Sequence, residues 1–261
     1  MQTVIKDTKG FTLTEMLVVI AIVGILVALL LAVLGGAKAK AQRMVCVNNL
    51  RQISLGVRMY SDDSHDASPS PGSAGSTNTG VWPLYSGYKA LMKNYVGLQG
   101  ASSPRDKLFA CPADVANIGA LLHDWPHQFQ IVKGSLHDSS AFDYSSYGFN
   151  GGDNAVRKLS NGKKTIQYTV LGLGGVRLSA VKHPERTLLL MEVPATLPYS
   201  WHDPKSHGVS KDDLGMVYND SKNVVGFVDG HVSYIKMFWE DHIVANMTNP
   251  PAGYDYQWSP D

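Results

Sequence analysis

Glu15 is the first residue whose placement asks for chemistry. It stands immediately ahead of nineteen residues, Met16 to Leu34, that carry no charge. A carboxylate there must face water at a membrane edge or meet a cation, because an ionised group alone in hydrocarbon is costly. Cys46 and Cys111 are the only two cysteines, and two readings stand side by side for them. In an oxidising compartment a bridge closes a loop of about 65 residues and contributes roughly 4 kcal/mol in the chain-entropy model. Otherwise they are two separate buried thiols. Asp229-Gly230 is a third case. The dipeptide tolerates the positive φ angles of a type I′ turn, and with Asp220 it also offers carboxylates to calcium. No D-x-D-x-D-G loop with a closing Glu occurs, so turn chemistry is preferred and neither a metal nor another cofactor is expected.

Nine histidines are spread over the chain. His123 and His127 form the only helical i, i+4 pair, but Trp125-Pro126 interrupts it and no Glu of the HExxH type lies between. "WHDPKSH" groups His202, Asp203 and His207, which a polar loop explains as well. "GLGG", Gly172 to Gly175, is a bare glycine cluster, and neither G-x-S-x-G nor a P-loop occurs. No catalysis is expected. The net charge of +1 gives no electrostatic reason for a nucleic-acid partner.

These residues need elements to hold them. The uncharged run is long enough, at about 1.5 Å per residue, to cross a hydrocarbon core of roughly 30 Å. Its fourteen Leu, Ile and Val residues favour insertion by roughly 4 to 8 kcal/mol, more than a Glu at the edge costs. The run is too long for a cleaved secretory signal, and "GGAKAKAQRMVCVNNL" continues it as helix. Beyond, Cys46, Leu50, Ile53, Val57 and Tyr60 fall at 4-3-4-3 spacing, an apolar stripe. Asn48, Asn49, Arg51, Gln52 and Arg58 suit the wetter face.

"KGFTLTEMLVVIAIVGIL" resembles the class III leader of type IV pilins and type II secretion pseudopilins. In that family a prepilin peptidase cuts after the Gly, here Gly10; the new N-terminal residue, here Phe11, is N-methylated; and the Glu, here Glu15, guides assembly. The resemblance implies that a neighbouring subunit's new α-amine pairs with Glu15 as helices stack. Many pilins carry a Pro where this chain has Ala32, and Gly35-Gly36 just beyond is read as a substitute flexible point. "CVNNLRQI" is similar to a signature of a large pilin-like group that also carries the motifs seen here as "CPAD" (Cys111 to Asp114), "SSYGFN" (Ser145 to Asn150) and "FVDGHV" (Phe227 to Val232). In the last motif Asn219 stands where the group's His falls.

The implied organisation is a leader at 1–10, a transmembrane and assembly helix at 11–36, its amphipathic continuation at 37–63, and a globular domain at 64–261. The fold expected is α+β: one long N-terminal helix, from about Phe11 to Tyr60, packed by its second half on an antiparallel sheet. Strands are expected in "FDYSSYGFN", "IQYTVLGL", "RTLLLMEV" (a fully apolar central strand) and the hairpin "NVVGFVDGHVSYIK". "NPPAGYDYQWSPD" is expected to wrap the surface. The partners implied are the peptidase, an inner-membrane pilus or secretion platform, the lipid bilayer and further copies in a helical homo-oligomer. The implied location is the inner membrane, single-pass, with the domain periplasmic, or on the cell surface once assembled. The competing reading is an anchored or tip-located module that binds polysaccharide or protein, supported only by the aromatics Trp82, Tyr85, Trp201 and Trp258, which core packing explains equally well.

Overall fold

The computed structural model describes residues 12–70, 87–114, 116–120, 129–152, 156–160, 165–169, 171–196, 199–203, 220–238 and 248–261. Helix α1 covers Leu13–Asp63, with Gly35 and Gly36 among its helical residues. Two compact units divide the chain, Met1–Ala41 and Gln42–Asp261. In the first, every described side chain from Leu13 to Leu31 is exposed. Such an all-round apolar helix finds no covering within its own unit and suits a lipid or helical environment.

In the second unit, the part of α1 from Gln42 onward carries the expected stripe. Cys46, Leu50, Ile53 and Val57 are fully buried, and Tyr60 packs against them. Each fully buried Leu, Ile or Val contributes roughly 2 kcal/mol. Asn48, Arg51, Gln52 and Arg58 are exposed. Asn49 is not. It is buried, and its amide donates to the Ala110 carbonyl at 3.0 Å and to the Tyr147 hydroxyl at 3.2 Å. Its burial is tolerated because both bonds replace lost water.

The domain contains a four-stranded antiparallel sheet in the order β3-β6-β7-β8. Its strands are β3 (Tyr147–Phe149), β6 (Leu188–Glu192), β7 (Ser221–Phe227) and β8 (Val232–Met237). Two separate two-stranded antiparallel sheets accompany it, β1 (Ala116–Ala120) with β2 (Phe129–Lys133) ahead of β3 in sequence, and β4 (Val156–Ser160) with β5 (Thr165–Thr169) between β3 and β6. The "RTLLLMEV" run supplies an interior strand as its composition suggests, with Leu188–Glu192 buried along its whole length. "FDYSSYGFN" contributes only three strand residues, because Asp143 and Tyr144 take left-handed backbone just before them. "IQYTVLGL" pairs with β4 rather than joining the main sheet.

Helix α1 lies close on this sheet at Gly226, where a Cβ would sit 3.1 Å from the Ser54 hydroxyl. Arg58 donates to the Val228 carbonyl at 2.9 Å, tying the helix to the β7–β8 connection. That connection corrects the expected type I′ turn. Gly230 has φ +95 but Asp229 is not among the positive-φ residues, whereas type I′ needs both. Gly230 N–H bonds the Phe227 carbonyl at 3.0 Å and Phe227 N–H bonds the His231 carbonyl at 2.9 Å. This is a three-residue loop, a tight turn followed by a left-handed glycine.

The C-terminal segment also departs from expectation. Gln257 forms a parallel bridge with Thr187, and Tyr256 and Trp258 are buried. Asn150 holds it by donating to the carbonyls of both Leu188 and Trp258. Two aromatic rings of this size bury too much apolar area to remain a surface wrap.

Candidate functional site

Among the described residues, a dense grouping of reactive side chains lies where α1, the "CPAD" turn, the end of β6 and the Trp201–Asp203 turn meet. Cys46 and Cys111 form a disulfide with Cα atoms 5.4 Å apart. Beside it lie Glu192 and His202, with side chains 0% and 1% exposed. The Glu192 Oε1 atom is 2.8 Å from His202 Nε2 and 3.3 Å from Cys111 Sγ, and that sulfur is 3.6 Å from His202 Nε2. Glu192 Oε2 accepts the Val224 N–H at 3.0 Å. Each oxygen of this buried side chain thus has a polar neighbour in place of water. The four donors, two sulfurs, an imidazole nitrogen and a carboxylate oxygen, lie within 4.8 Å of one another, a set suited to a divalent metal.

The "CPAD" and "SSYGFN" motifs meet at Asp114. Its carboxylate accepts Ser146 Oγ at 2.7 Å, Ser135 Oγ at 2.9 Å, and the N–H groups of Leu136 and His137, both at 3.1 Å. Ser146 Oγ in turn accepts the Cys111 N–H at 2.9 Å. Burial pushes the Asp114 carboxyl above the usual aspartate range, and the hydrogen bonds from Ser146, Leu136 and His137 pull against it. The two motifs therefore position Cys111. A second buried charge cluster sits nearby in sequence, with Lys89 and Lys93 at 3.1 and 3.0 Å from Asp106 Oδ2. Burial alone would raise Asp106, but hydrogen bonds from Lys93, the Ser103 N–H and Lys89 hold it below the usual range. "GLGG" is structural as well: a Cβ at Gly172 would meet the Gly152 nitrogen at 2.3 Å.

In the first unit, α1 begins with a reciprocal cap. Glu15 Oε2 accepts the Thr12 N–H at 2.8 Å and the Thr12 hydroxyl at 2.7 Å, while Glu15 N–H donates to Thr12 Oγ1 at 3.3 Å. This T-x-x-E pattern satisfies backbone donors that a helix start leaves open. Behind it runs the one helix among the described residues that is long and apolar enough to cross a membrane. Residues 5–31 match the family model of the prokaryotic N-terminal methylation motif. No curated protein and no solved structure matches the chain. The methylation motif, the long helix and the C-terminal sheet together are consistent with a prepilin-like protein. The motif implicates a processing partner of the prepilin-peptidase type, and the apolar helix is consistent with a single-pass anchor.

Other expected site residues distribute as follows. Gly10 and Phe11 lie outside the described residues, as do Trp82, Tyr85, His123, His127, His207 and Asn219. Trp201 and Trp258 are buried, 6% and 1% exposed, which corrects their reading as outward-facing binding aromatics. Asp229 Oδ1 is engaged by the His231 backbone N–H at 3.0 Å and lies 2.6 Å from His231 Nδ1. Asp220 accepts the Tyr254 hydroxyl at 2.6 Å and pairs with Lys236 at 3.6 Å. Glu192 was missed. Its signal was available: a single acid closing an otherwise apolar run, ten residues before His202.

Proposed function

We propose that the chain is a prepilin-like structural subunit. It is cut after Gly10, N-methylated at Phe11, and polymerised through the apolar part of α1 into a filament of the pilus or secretion-pseudopilus kind. The observation that carries this reading is the methylation motif at 5–31 running into a helix whose apolar residues are uncovered within their own unit. Lipid covers such a helix before assembly and neighbouring helices cover it afterward. Both environments satisfy its backbone internally and its side chains by packing. The C-terminal domain then forms the filament's outer face, and no catalytic step is assigned to it.

Glu15 has two roles to separate, capping its own helix and meeting a neighbour's α-amine. Thr12→Ala removes both bonds of the Thr12 hydroxyl but keeps the carboxylate and its bond from the residue-12 N–H, whereas Glu15→Leu removes the carboxylate and leaves the Thr12 hydroxyl accepting the residue-15 N–H. The proposal expects Thr12→Ala to assemble and Glu15→Leu to insert yet stay out of the pelleted filament fraction. Intact-mass analysis of sheared material should give a chain starting at methylated Phe11. A mature chain beginning at Met1, or pelleting by Glu15→Leu equal to wild type, would sink the reading.

A further inference from the structure

The cluster at Cys46 has a chemistry that subunit packing does not require. We propose that Cys46, Cys111, Glu192 and His202 form a tetrahedral site for Zn²⁺, or a divalent cation of similar softness, whenever the Cys46–Cys111 bond is reduced. The disulfide and the metal are then alternative closures of one site.

Three observations lead there. First, each donor is of a type that zinc takes, and once reduced the set offers two thiolates, an imidazole and a carboxylate, a Cys₂His₂ centre with one imidazole exchanged for a carboxylate. Second, the spacing fits. Bonds of about 2.0 Å to N and O and 2.3 Å to S place tetrahedral ligand atoms about 3.3 Å (N···O) and about 3.5 Å (S···O and S···N) apart. The corresponding separations here are 2.8, 3.3 and 3.6 Å. One face of the tetrahedron is thus nearly in place. The imidazole and carboxylate must part slightly from 2.8 Å, and the second sulfur must move further, because a metal-bound sulfur pair stands about 3.8 Å apart and cannot stay bonded. Third, the surroundings suit a cation better than a disulfide. A disulfide sulfur carries no proton, so Cys111 gives Glu192 Oε1 no hydrogen bond at 3.3 Å. A cation replaces the His202–Glu192 proton and binds that oxygen and both sulfurs at once, while the Val224 N–H holds the carboxylate's other oxygen.

The chemistry balances as follows. A dithiol reductant gives two electrons and two protons to the Cys46–Cys111 bond and becomes a disulfide itself. The two thiols formed then release their protons to solvent as Zn²⁺ takes both sulfurs, and the proton shared by His202 Nε2 and Glu192 passes to His202 Nδ1 so that Nε2 and the Glu192 oxygen are free to bind the ion. The disulfide form of that reductant reverses this by thiol–disulfide exchange. It takes two electrons from the two thiolates and two protons from solvent to become the dithiol again. The ion leaves as the Cys46–Cys111 bond forms, and the Nδ1 proton returns to the His202–Glu192 pair.

The test uses the full-length chain in detergent micelles, reduced anaerobically with a dithiol and desalted, then titrated with Co²⁺ as a spectroscopic probe. One equivalent should bind with the intense visible bands of tetrahedral thiolate-ligated cobalt, and Zn²⁺ should displace it. The oxidised chain should show neither band. Zinc should also slow alkylation of both thiols and raise the reduced protein's melting temperature. His202→Ala and Glu192→Gln should each weaken cobalt binding at least tenfold. The proposal is overturned if the reduced wild type takes up no more cobalt than the oxidised form, or gives only weak octahedral bands. It is equally overturned if both variants bind as tightly as wild type, since unfolded thiols would then be the ligand. A reduced chain that unfolds and is not restored by zinc also overturns it.

Discussion

At the residue scale, buried carboxylates organise the domain, and each has a distinct consequence. Asp114 gathers two hydroxyls and two backbone N–H groups. Removing it strands buried donors, and each lost partner costs of order 1–3 kcal/mol. Asp114→Ala is therefore expected to lower unfolding stability by about 3 kcal/mol in a denaturant titration, less than their sum because water enters the gap. Asp106 makes a pH prediction. Its folded pKa lies below the ordinary 3.8, so its stabilisation is complete above that value and is lost as pH falls through the folded one. Asp106→Asn should flatten the acid limb of the stability curve relative to wild type. Asp114, with its raised pKa, contributes with the opposite sign, but equally in both proteins, so the difference isolates Asp106. Identical acid slopes would show that Lys89 and Lys93 do not hold it ionised.

Elements meet in this domain by close backbone approach as much as by side-chain packing. Gly172 and Gly174 pass directly against the Gly151-Gly152 backbone, with a Gly172 Cβ placed 2.3 Å from a nitrogen. Backbone atoms cannot rotate away as a side chain does. Gly172→Ala should therefore destabilise by about 3 kcal/mol, at the upper end of overpacking costs, in a thermal melt. The exposed Gly230 tip sits in open space at φ +95, so Gly230→Ala acts through backbone strain alone and should cost only about 1 kcal/mol. A larger loss at Gly230 than at Gly172 would reverse this ranking. The amphipathic part of α1 was legible because its stripe keeps helical period. Asn49 was not, since a polar residue facing inward is recognisable only once Ala110 and Tyr147 supply its partners.

For the molecule as a whole, the disulfide joins α1 to the "CPAD" turn over 65 residues of chain. Opening it in metal-free buffer should cost the Gln42–Asp261 unit about 4 kcal/mol, as the denatured chain regains that freedom. The reduced and oxidised denaturation midpoints measure it directly. If zinc is then added, the reduced midpoint should rise toward the oxidised one. The processing and assembly reading belongs to the same scale, since covering the apolar part of α1 requires either lipid or further copies.

By itself, the sequence determined what depends on local order along the chain. The methylation motif, the uncharged run, the 4-3-4-3 stripe and the interior character of "LLLME" are all one-dimensional patterns, set by adjacency or by helix and strand period. It could not determine which distant residues meet. Pairing of the two cysteines is one of two readings it allows, but an acid at the end of an apolar strand and a histidine in a polar turn carry no mark of them or of one another. Their meeting is decided by how α1 lies on the sheet and how Asp114 and Ser146 fold the "CPAD" turn beneath it. The same long-range packing turned Trp201 and Trp258 inward, because burying large rings outweighs the polar character of the segments that carry them.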